Sequence, residues 1–164
     1  MIKVSTHPAT DSYPIKKVVF MNSNDFEFRT IHFDKDDNFI YESFTDIDCI
    51  NKSTVTYIFS GSDYKLVGYR KHSSEKSEDY LWIDDEFKLM STELTEVICN
   101  FEGIKISNFD MNGDLFYYRI VNSKLIKTQT YNSNDEEIYM CEDLQNEYHR
   151  TLNNLIWDLE SKHF

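Results

Sequence analysis

The feature of this sequence that most constrains its fold is a short pattern that occurs five times between residues 33 and 139. In each copy an aromatic or aliphatic residue precedes a run rich in Asp, Asn, Ser or Gly, and apolar residues follow. The copies begin at Phe33, Phe59, Ile83, Phe109 and Tyr131, at spacings of 26, 24, 26 and 22 residues. Asn, Asp and Gly tolerate the positive φ of tight reversals, whereas aromatic residues favour strands. The pattern predicts consecutive β-hairpins.

These hairpins predict the fold class. Asn112-Gly113 is the strongest single hairpin signal, and another reversal is expected at 22–25. We therefore expect an α+β, mainly β, single domain over 1–164, with an antiparallel meander of about ten strands spanning about 15–141. The meander forms either a curved sheet or a partly closed barrel. Irregular spacing between the copies argues against a solenoid of stacked repeats.

Residues 91–102 fit two kinds of secondary structure. Leu94, Val97, Ile98 and Phe101 recur at helical spacing, and Gly103 would end such a helix. Thr95, Val97, Cys99 and Phe101 alternate in the way a strand requires. The sequence leaves this choice open.

The C-terminal segment predicts an amphipathic helix over about 143–162, with Asp143 as its N-cap and one face packed on the sheet. Six apolar residues form its stripe: Leu144, Tyr148, Leu152, Leu155, Ile156 and Leu159. Trp157 falls on the polar side. It is either covered by a neighbouring loop or strand, or exposed as a binding residue, a role in which Trp is enriched.

Composition excludes several classes of partner. The chain has 164 residues, with 29 Asp+Glu against 17 Lys+Arg, and a net charge of −12. This charge repels nucleic acid and anionic membranes, so we expect neither as a direct partner. No apolar run approaches the roughly 20 residues of a membrane-spanning helix. The 40% hydrophobic and 15% aromatic content predicts a folded core.

The cysteines and the first residues predict a cytoplasmic protein. Residues 1–8 lack the apolar stretch and small-residue cleavage site of a secretory signal. The chain has three cysteines, Cys49, Cys99 and Cys141, which are far apart in the sequence. Because an odd number cannot all pair within one chain and free cysteines are usually buried, we expect three reduced and mostly buried thiols.

The sequence lacks the common motifs for nucleotide binding, catalysis and metal binding. With four glycines, the chain has no Gly-rich phosphate loop, no G-x-S-x-G, and no paired histidines of the zinc-binding type. The turns at Asp34 and Asp110 imitate the start of a calcium loop, but Phe39 and Leu115 replace its Gly. We therefore predict no catalytic residue, no cofactor and no metal site.

The residues from Glu75 to Glu86 are unusually acidic and contain two large aromatics. Carboxylates supply electrostatic steering and aromatics supply apolar anchors, which together are typical of protein interfaces. The candidate partner interface consists of six residues: Tyr80, Trp82, Asp84, Asp85, Glu86 and, as a second candidate, Trp157.

The hairpin pattern and the acidic composition are similar to those of small bacterial hairpin-repeat antitoxins and immunity proteins. The resemblance implies a non-enzymatic inhibitor that binds a basic protein, such as a nuclease toxin or a nucleic-acid-handling defence complex. An alternative is a small-ligand-binding protein shaped like a β-barrel, closed by the C-terminal helix. A third possibility is an enzyme with a dispersed site. The sequence does not indicate the oligomeric state.

Overall fold

The computed structural model describes residues 1–98, 103–122, 127–138 and 151–164. These residues form twelve strands and one helix. The strands are β1 (Lys3–His7), β2 (Ile15–Met21), β3 (Glu27–Asp34), β4 (Phe39–Asp48), β5 (Ser53–Ser60), β6 (Lys65–His72), β7 (Lys76–Ile83), β8 (Glu86–Ile98), β9 (Gly103–Phe109), β10 (Leu115–Asn122), β11 (Lys127–Asn132) and β12 (Glu137–Ile138), and the helix is α1 (Leu152–Ser161).

All twelve strands belong to one open antiparallel sheet, in the order in which they occur in the chain. Each strand pairs with its sequence neighbours, as in Val19↔Thr30 and Tyr69↔Tyr80. The predicted mainly β meander with a helix packed on one face is confirmed. The strands number twelve rather than about ten, and they begin at Lys3 rather than near residue 15. Among the described strands the sheet does not close into a barrel.

Residues 91–98, part of the segment for which the sequence allowed either a helix or a strand, form a strand. β8 extends to Ile98, and Thr95 lies opposite Ile106 of β9. The helical alternative for this segment is wrong. A register shift in the β7–β8 pairing leaves Met90 of β8 without a partner on β7, just before this segment begins. Residues 99–102 lie outside the described part of the chain.

Four hairpin turns share one geometry, and three of them are copies of the recurring sequence pattern; the copies at Phe59 and Ile83 form other turns, with positive φ at Gly61 and Tyr64 and at Asp84 and Asp85. In each of the four, the side-chain oxygen of an Asn or Asp accepts backbone N–H groups two and four residues later, as Asp34 does from Asp36 and Asn38. The residue three positions after this Asn or Asp has positive φ, for example Asp37 at 65° and Gly113 at 81°. The equivalent first residues are Asn22, Asp34, Asp110 and Asn132. Short Asx side chains and a left-handed position are what this turn requires.

The hydrophobic core lies between α1 and the face of the sheet that it covers. Leu152 packs with Ile58 and Leu81 in the buried cluster. The close approach depends on Gly68, because a Cβ there would lie 3.0 Å from the Leu152 Cδ1 atom. Leu155, Ile156 and Leu159 complete the contact, as the predicted stripe requires. Leu144, Tyr148 and the predicted N-cap Asp143 lie outside the described residues.

A buried carboxylate on the sheet caps the N-terminus of α1. Asp79 of β7 is 4% exposed, and its Oδ2 accepts the N–H of Leu152 at 2.9 Å. Arg70 of β6 donates two hydrogen bonds to Asp79, at 2.5 and 2.8 Å, and a third to the Asn153 Oδ1 at 3.2 Å. The first turn of a helix has N–H groups without a partner in the helix, and its end carries a partial positive charge. Asp79 accepts one of these N–H groups, and its negative charge interacts favourably with the helix dipole. Thr151 itself makes no side-chain cap.

The other end of α1 is held by a second polar network. Glu160 accepts hydrogen bonds from the hydroxyls of Tyr13 at 2.9 Å and Tyr41 at 2.6 Å. The Tyr41 hydroxyl also lies 3.0 Å from the His32 Nε2. Burial and the hydrogen bond to Glu160 raise the pKa of Tyr13 to about 12 and also raise that of Tyr41. Both hydroxyls therefore stay protonated and act as donors at neutral pH.

His32 makes this end of the helix sensitive to acid. It is 6% exposed, and burial lowers its pKa from 6.5 to about 4. An unfolded His takes up a proton as the pH falls through 6.5 while the folded one does not, so stability is lost between pH 6.5 and 4. We expect this residue to contribute about 3 kcal/mol of that loss, measured by urea unfolding at each pH. The neutral variant His32→Gln should flatten the profile, and parallel profiles in the two proteins would contradict the assignment.

Candidate protein-binding surface

Alternate turns of an antiparallel meander lie at the same edge of the sheet. The β3–β4, β5–β6, β7–β8, β9–β10 and β11–β12 turns therefore share one edge. These are the five copies of the sequence pattern. We call this surface the acidic edge, defined by residues 34–38, 61–64, 84–86, 110–114 and 132–137.

The acidic edge carries nearly all the net charge of the chain. Its segments contain twelve Asp and Glu residues and one basic residue, Lys35, for a formal charge of −11 out of −12. The rest of the chain is nearly balanced, with 17 acidic and 16 basic residues. Two strand lysines reach toward this edge: Lys16 lies 3.0 Å from Asp37, and Lys88 lies 3.4 Å from Asp84.

The opposite edge has no comparable charge where the structure describes it. Its described turns with the strand residues that flank them, 21–27, 48–53 and 72–76, contain four acidic residues and two basic residues. The asymmetry is therefore not a general property of hairpin turns in this chain. It places a strong negative field along one side of the sheet.

The turns follow one another in a single row along the ends of the strands. Neighbouring strands lie about 4.8 Å apart, so turns two strands apart recur about every 10 Å and the five span about 40 Å. A net charge of −11 over this length gives about one negative charge per 3.6 Å, close to the 3.4 Å per charge of a single strand of B-DNA. The acidic edge thus resembles nucleic acid in its density of charge.

An aromatic surface adjoins the acidic edge on the side of the sheet away from α1. Ile58 and Leu81 point into the core, so their strand neighbours point to the opposite face. There Phe59 stacks on Tyr64 at 4.9 Å, and Tyr69 stacks on Tyr80 at 4.7 Å. We call this the aromatic face, and its residues are Tyr57, Phe59, Tyr64, Tyr69, Tyr80, Trp82 and Phe87. All seven are partly or largely exposed.

Basic side chains lie on aromatic rings of the sheet surface away from α1. The Lys65 ammonium lies 4.3 Å from the centroid of Trp82, and that of Lys71 lies 5.5 Å from Tyr80. The Arg29 guanidinium lies 4.9 Å from Phe20 and also pairs with Glu42, which is 1% exposed. These contacts show that the rings accept cations.

Five of the six predicted interface residues come together. Tyr80 and Trp82 lie on the aromatic face, Asp84 and Asp85 form the β7–β8 turn at the acidic edge, and Glu86 begins β8. The three acidic residues are exposed. Trp157 lies on α1, on the other side of the sheet, and is 64% exposed. The predicted interface is therefore one cluster of five residues and one separate tryptophan.

The structure separates the other acids of the 75–86 run, which the sequence grouped together. Glu75 lies in a turn at the opposite edge, and Asp79 is buried beneath α1. Sequence reasoning missed the charged turns at 34–38, 110–114 and 132–137 as partners of Asp84 and Asp85. The signal was available, since the five copies are spaced two strands apart and so must share an edge.

Several other features bear on function. Cys49, expected to be buried, is exposed in the β4–β5 turn, and Cys99 and Cys141 lie outside the described residues. Within the described ranges, no three His, Cys, Asp or Glu side chains are grouped to hold a metal ion. The described helix is too short and too polar to cross a bilayer.

Comparison with known proteins gives no family. No family model matches the chain, and no curated protein matches it. Among solved structures, the chain is similar to a protein of unknown function from Bacteroides fragilis NCTC 9343. The two are 12% identical with a TM-score of 0.34, and the alignment covers 89% of this chain and 96% of that chain.

Proposed function

We propose that this protein is a non-enzymatic inhibitor that acts in the cytoplasm, where its acidic edge binds and masks a basic, nucleic-acid-handling protein. Partners of this kind are nuclease toxins and the protein complexes of nucleic-acid-based defence. The inhibitor would then be of the immunity, antitoxin or phage anti-defence type. The observation that carries the proposal is the concentration of −11 of the −12 net charge at one edge.

The physical argument is competition with phosphate. A nucleic-acid-binding cleft is positively charged and complementary to a closely spaced row of negative charges. An edge with about the same charge density as a nucleic-acid strand is steered to that cleft and occupies it. The adjoining aromatic face supplies apolar anchors, which charge alone lacks.

The alternative function, small-ligand binding in a barrel, lacks a supporting observation. The sheet is open across its described strands. A polar groove of about 670 Å³ lies beside the N-terminus of α1, but its lining includes Arg70, Asp79 and Asn153, which bond to one another to hold the helix. We therefore propose the inhibitor function alone.

A pull-down from the native host, with washes at low and then high salt, tests the proposal. The expected result is retention of a basic nucleic-acid-binding protein at low salt and its loss at high salt, because exposed charges are screened within about 8 Å at physiological salt. Retention of no basic protein at either salt would contradict the proposal.

Two matched variants locate the surface in the same experiment. Asp84→Asn/Asp85→Asn/Glu86→Gln removes three charges from the acidic edge, and Asn keeps the positive φ of 53° and 63° at the turn. Glu27→Gln/Asp46→Asn/Glu75→Gln removes three exposed charges from the other end of the strands. We expect the first variant to weaken binding about tenfold or more and the second to leave it nearly unchanged.

A further inference from the structure

The Trp82 ring is the point where the aromatic face meets the acidic edge. Trp82 is the last residue but one of β7, two positions before the Asp84–Asp85 turn. Phe87 of β8 lies directly opposite and packs against it edge-on, at 4.9 Å between ring centroids. One side of the indole is thus fixed by Phe87, while the ring as a whole remains partly exposed.

In the free protein this ring already holds a cation. The Lys65 ammonium lies 4.3 Å from its centroid, closer than Lys16 is to Phe33, Lys71 to Tyr80 or Lys105 to Tyr118 on the same face of the sheet. Within the described residues Lys65 makes no ion pair, unlike Lys88, which pairs with Asp84 and Glu86. The ring therefore attracts Lys65 without a carboxylate partner to fix it there.

A second site on the same sheet shows which cation best fits an aromatic ring that lies next to a carboxylate. Arg29 lies over Phe20 and pairs with Glu42, so it uses an aromatic ring and a carboxylate together. A planar guanidinium stacks on a ring and also donates in-plane hydrogen bonds to a carboxylate, whereas an ammonium is a strongly hydrated point charge. The Trp82 ring beside the acidic turn offers a partner the same two groups.

We propose that Trp82 and the carboxylates of the β7–β8 turn accept an arginine side chain of the partner, and that this arginine displaces Lys65 from the ring. This inference rests on the proposed function and adds to it the kind of side chain that is recognised. The occupant is an arginine-bearing segment of a basic protein, because the −11 charge of the adjoining edge favours a cation.

The test uses capped decapeptides of arginine and of lysine, and measures the affinity of each for every variant by isothermal titration calorimetry. All proteins carry Trp157→Phe, so that the emission reports on Trp82 alone, since the chain has two tryptophans. We expect the parent protein to prefer the arginine peptide by about threefold, in line with an exposed cation–π contact, and its Trp82 emission to change on binding.

Two lysine variants with the same change of charge separate displacement from simple electrostatics. Lys65→Met should raise the preference for arginine to about tenfold, because the ring is no longer occupied. Lys88→Met removes an equal charge near the same turn, but Lys88 does not lie on the Trp82 ring. The preference of this variant for arginine should therefore stay near that of the parent protein. Equal preferences in these two variants would overturn the role of Lys65.

Ring variants complete the test. Trp82→Leu should abolish the preference for arginine, and Trp82→Phe, which keeps an aromatic against Phe87, should leave it intermediate. Salt-dependent binding of both peptides with no preference would overturn this inference and leave the proposed function standing. Binding that Asp84→Asn/Asp85→Asn/Glu86→Gln does not weaken would count against the proposed function itself. Binding of a single-stranded oligonucleotide in place of the peptides would contradict both.

Discussion

Replacing Asp79 by Ala is expected to lower the free energy of unfolding by about 3–5 kcal/mol, as is typical when one partner of a buried ion pair is removed. The carboxylate is 4% exposed and accepts from both Arg70 and the Leu152 N–H. Its removal takes away the bidentate partner of a guanidinium and the cap of α1 at once. Urea unfolding, followed by circular dichroism, measures the loss.

Two further variants make this result specific. Asp79→Asn keeps an oxygen for the Leu152 N–H but loses the charge, so its loss should be intermediate. Asp158→Ala removes an exposed carboxylate from the same helix and should change stability by no more than about 0.5 kcal/mol. If Asp79→Ala and Asp158→Ala were equally stable, the helix would not be held by Asp79. Because Asp79 lies away from the aromatic face, none of these variants should alter partner affinity once folded.

Leu152→Ala is expected to destabilise the protein by about 2–5 kcal/mol, since it leaves a cavity at the centre of the core. Leu152 is 2% exposed and packs with Ile58 and Leu81 on the sheet. The Gly68 backbone that faces it has little freedom to fill the gap, because Gly68 is itself paired in the sheet between Ile58 and Leu81.

Trp157→Ala is the matched control on the same helix. Its side chain is larger than that of Leu152, but it is 64% exposed, so its truncation should cost less than about 0.5 kcal/mol. Thermal unfolding of the two variants, measured side by side, shows whether the loss of stability follows the burial of the side chain or its size. A larger loss for Trp157→Ala than for Leu152→Ala would mean that Trp157, and not the predicted stripe, anchors α1.

The sequence predicted the hairpins because the turn chemistry is local. Asp34, Asp110 and Asn132 each accept the backbone N–H groups of their own turn, so the residue type alone indicates the reversal. β1 was missed because Lys3–His7 is polar and mostly exposed and has no apolar alternation to detect. Its position depends on pairing with β2, which is tertiary information.

The burial of Asp79 could not be predicted from the sequence, for a different reason. Asp79 stands in an acidic run that is typical of a solvated surface, and its burial follows only from the docking of α1 and from Arg70 opposite it in the register. The acidic residues Asp84, Asp85 and Glu86 were predicted as a local cluster. That they continue along four other turns follows from the meander itself, in which alternate turns share an edge.

Competition with nucleic acid tests most directly whether the acidic edge masks a basic partner. The partner retained in the pull-down is bound to a labelled oligonucleotide, and this protein is titrated into the complex while polarisation reports release. We predict full displacement by the parent protein and by Glu27→Gln/Asp46→Asn/Glu75→Gln, and about tenfold weaker displacement by Asp84→Asn/Asp85→Asn/Glu86→Gln. A stable ternary complex with no displacement, or equal displacement by the two triple variants, would contradict the proposed masking.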